Sequence, residues 1–297
     1  MEGLTVADTN ITVIVLNWNS CERTILCIRN LLQAISPRIQ IMLIDNGSSD
    51  GSAQAFRTAF TAHEITLLCL DKNYGFSGGV NRGIRHVLQN SQPDYILLLN
   101  NDTNATSEII TQLADHMDRK PRVGIATPKI VYSDTPEILW GIGGKMQPHW
   151  FTVNGMGEHD VGQYTSFQPD FVFGCAMIIR RAVLETIGLL DERFFFSYED
   201  IDFCLRAAAV GFGIAYYAEI VIAHDGSAST HHQSYLREYY MAHSRLKFFK
   251  KWSHGLNFVR FLARESLYFG STLWRCLWHR DWLTLRWYVS GWIKGLL

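Results

Sequence analysis

The stretch "YILLLNNDT", residues 95–103, decides the fold. Five apolar or aromatic residues run directly into Asn100, Asn101 and Asp102. A continuous apolar run of this length reads as a strand buried on both faces, the habit of parallel sheets covered by helices. In open α/β sheets ligands bind beyond the carboxyl ends of the strands, where this run turns polar.

The pattern recurs upstream. "ITVIVLNW" (11–18) carries Asn17 near its end, "IQIMLID" (39–45) ends in Asp45, and "EITLLCLD" (64–71) ends in Asp71. Between these runs the spacing predicts helices over about 21–34, stopped before Pro37, from a cap at Ser52 after the turn-rich "NGSSDGS", and over 79–88. A further helix is expected over about 107–117. Alternating strands and helices imply an α/β chain with a mostly parallel sheet. Asn17, Asp45, Asp71 and Asp102 then fall at one edge of it and point to a shared site, although turns also favour Asp and Asn.

Downstream the periodicity weakens over 132–170 and then resumes. "DFVFGCAMIIRR" (170–181) reads as a strand interrupted by Gly174. "SYEDIDFCLRAAAVG" (197–211) reads as a helix with Ser197 as N-cap and Gly211 as its stop. "GIAYYAEIVIAH" (213–224) reads as one or two short strands.

Composition sets the class. With 297 residues, 47% hydrophobic and 19% charged, a packed core is expected rather than disorder. The formal net charge of −1 suggests no nucleic-acid partner. The charge is unevenly spread. Residues 1–234 hold 16 Lys+Arg against 25 Asp+Glu, a balance of −9, and residues 235–297 hold 11 against 3, a balance of +8, with six of the nine tryptophans. Residues 235–297 therefore read as a basic, Trp-rich region distinct from 1–234. The six cysteines form no CxxC pair and suit reduced thiols in the cytoplasm. Glu2 and Asp8 precede the first apolar run, unlike a secretory leader, and no stretch matches a spanning helix.

Three segments carry chemistry. A carboxylate at a strand end, as at Asp102, suits a hard divalent cation such as Mg²⁺ or Mn²⁺ that keeps water and substrate phosphates as its other ligands, or else a plain turn and cap. "DKNYGFSGGVNRGI" (71–84) is a glycine-rich loop running into a helix, neither GxGxxG nor a Walker loop. "FFFSYEDIDFCLR" (194–206) puts Glu199, Asp200 and Asp202 in a first helical turn. There Glu199 can favour the helix N-terminus and Asp202 can pair with Arg206. Glu199 and Asp200 stand about 100° apart, so only one aims fully into a cleft. A carboxylate beside Phe196 and Tyr198 can have a raised pKa and act as a base. His224 closes an apolar strand, either as a packing residue or as a metal ligand.

Taken in order, "VIVLNWN", "LIDNGSSDGS", "NYGFSGGVNRGI", "LLLNNDT", "FGCAMIIRR" and "SYEDIDFCLR" resemble the inverting, nucleotide-sugar-dependent glycosyltransferases of family 2, over Ile11 to about Arg245. Within that family the chain is most similar to bacterial rhamnosyl- and related transferases of surface polysaccharide synthesis. The resemblance implies the GT-A fold, a Rossmann-like nucleotide-sugar-binding domain, followed here by a helical C-terminal region. Residues 1–234 would form the catalytic domain, with a nucleotide-binding half to about 130 and an acceptor half from about 131. Asp45 would bind the nucleotide base and the 73–83 loop would follow the diphosphate. Donor contacts would come from Asn17, Asp45, Asn73, Gly78, Gly79, Asn81, Asn101 and Gly174. Asp102 and His224 would hold a divalent metal, Mg²⁺ or Mn²⁺. Asp200 would be the general base, with Glu199 and Asp202 as secondary acidic candidates. In this chain Asn100 and Asn101 precede Asp102 where the family often begins its metal motif with Asp, which lowers the charge of the site. A non-catalytic nucleotide-sugar or glycan binder on the same fold is the alternative, and it would not need Asp200.

The tail adds a second expectation. On a helical wheel from Trp274, Leu277, Trp278, Trp282, Leu285, Tyr288, Val289, Trp292 and Leu296 share one face, opposite Arg275, Arg280, Arg286 and Lys294. Such a helix suits an anionic membrane surface or packs on protein, including a second subunit in a homodimer. The resemblance adds a lipid-linked saccharide acceptor, and with it a cytoplasmic chain peripheral on the inner face of the cell membrane.

Overall fold

The computed structural model describes residues 9–165, 167–226 and 234–297. Glu2 and Asp8 lie outside the described residues, as does the segment just before the expected boundary at 234/235.

The four apolar runs form the parallel half of the sheet. β1 (Ile11–Asn17) pairs with β2 (Ile39–Asp45) and β4 (Tyr95–Asn100), and β2 pairs with β3 (Thr66–Cys69). α1 (Cys21–Leu32), α2 (Ser52–Ala59) and α3 (Gly75–Asn90) make the crossovers. After β5 (Thr103–Asn104) and α4 (Ser107–Asp118), the chain adds β6 (Val123–Tyr132), β7 (Leu139–Gly141), and a separate hairpin of β8 (Gly144–Gln147) and β9 (Trp150–Val153). β10 (Ala176–Arg180), α5 (Arg181–Ile187), α6 (Glu199–Ala209) and β11 (Gly213–His224) complete the α/β part. The sheet order is β3-β2-β1-β4-β10-β6-β11-β5, with β7 on β6. β10 is antiparallel to both of its neighbours, so the sheet is mixed with a mostly parallel half.

Strand alternation builds the two layers. Val13, Val15, Leu97 and Leu99 point into one core with Ile28 and Leu31 of α1, Phe56 of α2 and Ile110 and Leu113 of α4. Ile14, Ile96 and Leu98 point into the other, with Val80 and Ile84 of α3 and Phe203 of α6. Both faces of β4 are buried, which is why its sequence shows no alternation.

The tail is helical, in three segments: α7 (Ser234–Trp252), α8 (Leu256–Trp278) and α9 (Trp282–Leu296). Leu246, Phe248 and Phe249 of α7 and Phe261 of α8 join the second core. α9 lies close on α7, where Gly291 and Gly295 leave room for the backbone of Tyr239 and His243.

Several expected boundaries move. β3 is shorter than 64–71 because it is an edge strand with exposed ends. α3 starts at Gly75 rather than Gly79, since Gly75 takes a left-handed φ of +75° that turns the loop directly into the helix. Ser197 is not an N-cap: Ser197 and Tyr198 have φ of +65° and +75°, and α6 begins at Glu199 with no side-chain cap. The expected strand over 170–181 is ordered as β only from Ala176, and 213–224 is one strand with an irregularity between Tyr217 and Val221. The wheel from Trp274 is not one helix. Arg280 has φ of +55°, and Asp281 starts α9 by accepting from Thr284 N at 3.0 Å. Cys27, Cys175, Cys204 and Cys276 are buried, Cys69 is exposed, and all six cysteines are free.

Candidate active site

Strand register brings the polar ends together. Asn17 is level with Asp45, and Leu16 with Asn100. Because β10 runs antiparallel beside β4, its start reaches the end of β4, and Asn100 N donates to Cys175 O at 2.9 Å. That contact sets Gly174 at the same edge.

A buried polar chain runs beneath this edge. Asn101 Nδ2 donates to Thr24 Oγ1 at 2.8 Å, Thr24 Oγ1 donates to Asn17 Oδ1 at 2.8 Å, and Asn17 Nδ2 donates to Asp45 Oδ1 at 2.9 Å. Asn17, Thr24 and Asp45 are nearly inaccessible, so each bond is made in low dielectric and holds its neighbour's orientation. Thr24 has no signal in the sequence, because it lies inside α1 and reaches the site only through packing.

Above it is a cleft of about 480 Å³ lined mainly by apolar surface and a few amides. Trp18, Asn46, Asn73, Phe76, Asn101 and Arg237 are among its lining residues. Asn46 fixes the glycine-rich loop: its Nδ2 donates to Asn73 Oδ1 and to Gly75 O, both at 3.0 Å, and its Oδ1 accepts from Tyr74 N at 3.0 Å. Phe195 stacks on Tyr240 of α7 with centroids 4.3 Å apart, closing the cleft with a helix of the tail. Arg237 is exposed and is the one cation among the described residues lining the cleft. Both α7 residues were missed in the sequence, where amphipathic spacing alone does not say which face meets a ligand.

Some expected donor contacts turn elsewhere. Asn81 is buried and latches the 190–192 segment, donating to Leu190 O at 2.8 Å and accepting from Leu190 N at 3.1 Å. Gly79 allows close helix–sheet packing, since a Cβ there would stand 2.7 Å from Leu16 Cδ1. Gly78 packs beside Tyr74 and Arg82. Asp71 is exposed and accepts from Tyr74 Oη at 2.8 Å, outside the shared site.

The two ligand candidates meet. β11 pairs with β5 so that His224 is level with Thr103, which sets His224 Nε2 3.0 Å from Asp102 Oδ1. Both residues are buried; Asp102 Oδ1 has no hydrogen-bond partner, and His224 Nε2, the nitrogen that faces it, also has Asn100 Nδ2 at 3.4 Å. The close Asp102–His224 approach is thus not aligned as a hydrogen bond, and a divalent cation between oxygen and imidazole nitrogen fits this donor pair. Trp140 packs edge-on against the His224 ring at 4.7 Å and limits its rotation. Among the described residues no group of three or more His, Cys, Asp or Glu gathers around one point, so the remaining ligands of a cation here would come from water and substrate.

The acidic helix start separates its three carboxylates. Asp202 is fully buried and bonded to Arg206 Nε at 2.8 Å, Lys251 Nζ at 2.6 Å and Trp252 Nε1 at 2.8 Å, which ties α6 to α7. Glu199 is buried with Oε2 unpartnered. Burial, then the charge of Asp200, push the Glu199 carboxyl well above its ordinary range. Asp200 is partly open, and its carboxylate accepts from Gly174 N at 3.0 Å and Ile201 N at 2.8 Å. Burial raises its pKa as well, opposed by those two N–H groups. The thiol of Cys175 is pushed up by burial first and then by the charges of Asp102 and Asp200. The geometry thus brings to one edge a buried Asp–His pair, a cleft and a partly open carboxylate whose pKa is raised.

Known proteins resemble this chain in both sequence and fold. The family model described as "Glycosyltransferase like family 2" matches residues 8–246. A low-salt glycan biosynthesis hexosyltransferase, Agl10 of Haloferax volcanii, is 31% identical, covering 67% of this chain and 61% of the relative. The chain thus spans less than two thirds of that relative's length. An N-acetylglucosaminyl-diphospho-decaprenol L-rhamnosyltransferase of Mycobacterium tuberculosis is 27% identical over 65% of this chain and 68% of its own. Among solved structures, a mannosyltransferase from Pyrobaculum calidifontis in complex with GDP-Man and Mn²⁺ superposes with a TM-score of 0.59 at 14% identity, covering 97% of this chain and 87% of that one. That likeness shows the GT-A fold.

Proposed function

The chain belongs to glycosyltransferase family 2, and from that membership we propose that it is a metal-dependent, inverting glycosyltransferase. It moves a hexosyl or deoxyhexosyl unit from a nucleoside diphosphate sugar, of the dTDP-rhamnose or UDP-sugar kind, to a saccharide acceptor. The observation that carries the reading is the gathering of Asp102, His224 and Asp200 at one end of β4: His224 Nε2 lies 3.0 Å from Asp102 Oδ1, and Gly174 N, next to the Cys175 whose carbonyl accepts from Asn100 N, donates to Asp200.

Asp45, oriented by Asn17, faces the base, while Asn73, the start of α3 and Arg237 line the path of the diphosphate. Asp102 and His224 would hold a divalent metal, which would supply positive charge to neutralise the departing diphosphate. Mn²⁺ in the complex of the Pyrobaculum mannosyltransferase supports a divalent ion, whether Mn²⁺ or Mg²⁺. Asp200 accepts the proton of the acceptor hydroxyl as that oxygen bonds to the anomeric carbon. The bond to the diphosphate breaks with its electron pair leaving on oxygen, and a single displacement inverts the configuration. The buried Glu199, kept protonated, leaves the basic role to Asp200.

The acceptor is a lipid-linked saccharide of surface polysaccharide synthesis, and the protein works as a peripheral protein on the inner face of the cell membrane. The Mycobacterium relative, named for a decaprenol-diphosphate substrate, supports the lipid link, and no helix among the described residues is long and apolar enough to cross a membrane. The test is a panel of nucleotide sugars with lipid-linked and soluble acceptors and divalent metal, read by nucleoside diphosphate release and by the anomeric proton coupling of the product. An inverted linkage formed only with metal is expected; a retained linkage, or full turnover in EDTA, overturns the proposal.

A further inference from the structure

α8 has two opposite faces of different character. Phe261, Glu265, Thr272 and Cys276 are buried. Phe261 stacks on Phe249 with centroids 4.3 Å apart, and Glu265 pairs with Arg245 at 2.7 Å. At about 100° per residue, Leu256, Ala263, Leu267, Trp274 and Trp278 fall within an arc of about 60° on the side away from those four. All five are exposed, with Leu256 at 64%, Leu267 at 78%, Trp274 at 67% and Trp278 at 72%. Val259 and Leu277 widen the stripe, and Trp282 and Leu283 continue it past the turn at Arg280. The helix is about 34 Å long and the stripe extends along most of it, the kind of exposed apolar surface that marks an interaction site.

The polar groups around it are mostly cationic. Arg260, Arg264, Arg275 and Arg280 are exposed along its length and at its end. Glu265 faces inward on Arg245, Arg275 has Glu238 at 4.0 Å, and Asp281 is engaged with Thr284 N. A second copy of the chain would bring the same arginines against each other. A bilayer with anionic headgroups matches both parts, the apolar stripe for the acyl boundary and the arginines for the phosphates. Tryptophan is the residue best suited to that boundary, and Trp274 and Trp278 stack with centroids 6.0 Å apart toward the C-terminal end of the stripe.

We propose that the exposed stripe of α8, continued by Trp282 and Leu283, docks the protein in plane on an anionic lipid bilayer. The proposal rests on the membrane-facing part of the function above and names the face and the lipid chemistry. It replaces the single wheel read from Trp274, because Leu285, Tyr288, Val289, Trp292 and Leu296 pack inward as buried or half-buried residues of α9 while the tryptophans of α8 stay open.

The test is flotation of the full chain with vesicles of phosphatidylcholine containing phosphatidylglycerol, and with phosphatidylcholine alone, over a salt series. The wild type should float with the anionic vesicles and fall away as salt rises. The triple variant Arg260→Glu/Arg275→Glu/Arg280→Glu should bind on the order of 100-fold more weakly, at about five-fold per lost basic contact before the added repulsion. The double variant Trp274→Ser/Trp278→Ser should lose binding to the anionic vesicles, while Leu26→Ser, an exposed position on α1, should not change it. Nucleoside diphosphate release with a soluble acceptor reports on the active site separately and should stay near wild type in all of these variants. Variants that float like the wild type, a wild type that ignores anionic lipid, or a dimer that the tryptophan variant dissociates would each overturn the docking proposal without touching the catalytic one.

Discussion

Asp200 and Glu199 are neighbours in sequence with different surroundings, and the proposed division of roles rests on that difference. Asp200 is partly open and stabilised as an anion by two backbone N–H groups, whereas Glu199 is enclosed with an oxygen that bonds to nothing. Asp200→Asn is expected to lower turnover by about two to four orders of magnitude while leaving donor binding nearly intact, as general-base catalysis predicts. Glu199→Gln puts a neutral amide of the same shape where burial and Asp200 raise the carboxyl's pKa well above its ordinary range, so steady-state turnover should remain near wild type. Because burial raises the pKa of Asp200, and the base works only when ionised, the acid limb of the pH–rate profile should lie above the ordinary carboxylate range near ~4. A limb at or below that range would contradict the burial of the base. For the cation pair, Asp102→Ala should abolish the metal dependence of donor binding measured by calorimetry, and His224→Ala should weaken it. Asp102, Asp45 and Asn17 were legible because a buried apolar run that ends in a polar residue marks a strand end. Thr24, Trp140 and Arg237 were not, since each lies within a helix or short strand that only tertiary packing brings to the edge. Asp71 and Asn81 misled for the same reason: their types fit a ligand contact, but one projects into solvent and the other into the core.

At the scale of elements, the parallel strands were readable from apolar runs between turn signals, while β7, β8 and β9 were not. These strands are short, and the hairpin of β8 and β9 is only partly buried, so no period repeats often enough to register. The tail was readable as helical, but its break at 279–281 depends on a left-handed Arg280 that propensity does not mark. The packing of α9 on α7 gives two expectations. A side chain at Gly291 would collide with the Tyr239 carbonyl, so Gly291→Leu should lower the thermal midpoint by separating the two helices, as overpacking costs roughly 1–3 kcal/mol. His243, on the same helix pair, has its pKa lowered from 6.5 to about 4 by burial and then by Lys247 and Lys294. Its unfolded form takes a proton below about 6.5 while the folded form resists it until about 4. The stability it contributes is therefore present above 6.5 and lost as pH falls through that window. Thermal melts of wild type and His243→Asn from pH 7 to pH 4 should converge on acidification. Parallel curves would mean that His243 does not titrate against folding.

For the whole molecule, the sheet brings amides and carboxylates to one edge, α6 supplies the proposed base, and α7 both closes the cleft and carries the salt-bridged core that holds α6 in place. Catalysis should therefore depend on the tail even where the tail touches no reacting atom. Lys251→Met removes one of the cations on buried Asp202 and should lower turnover together with stability, with hydrogen exchange rising first in α6. The central claim is that this edge performs transfer rather than binding alone. Its most direct measurement pairs nucleotide-sugar binding by calorimetry with acceptor-dependent nucleoside diphosphate release, in the wild type and in Asp200→Asn. The expected result is equal donor affinity in both proteins and release only in the wild type with metal present. Donor binding without release in the wild type, or equal release from Asp200→Asn, would contradict it.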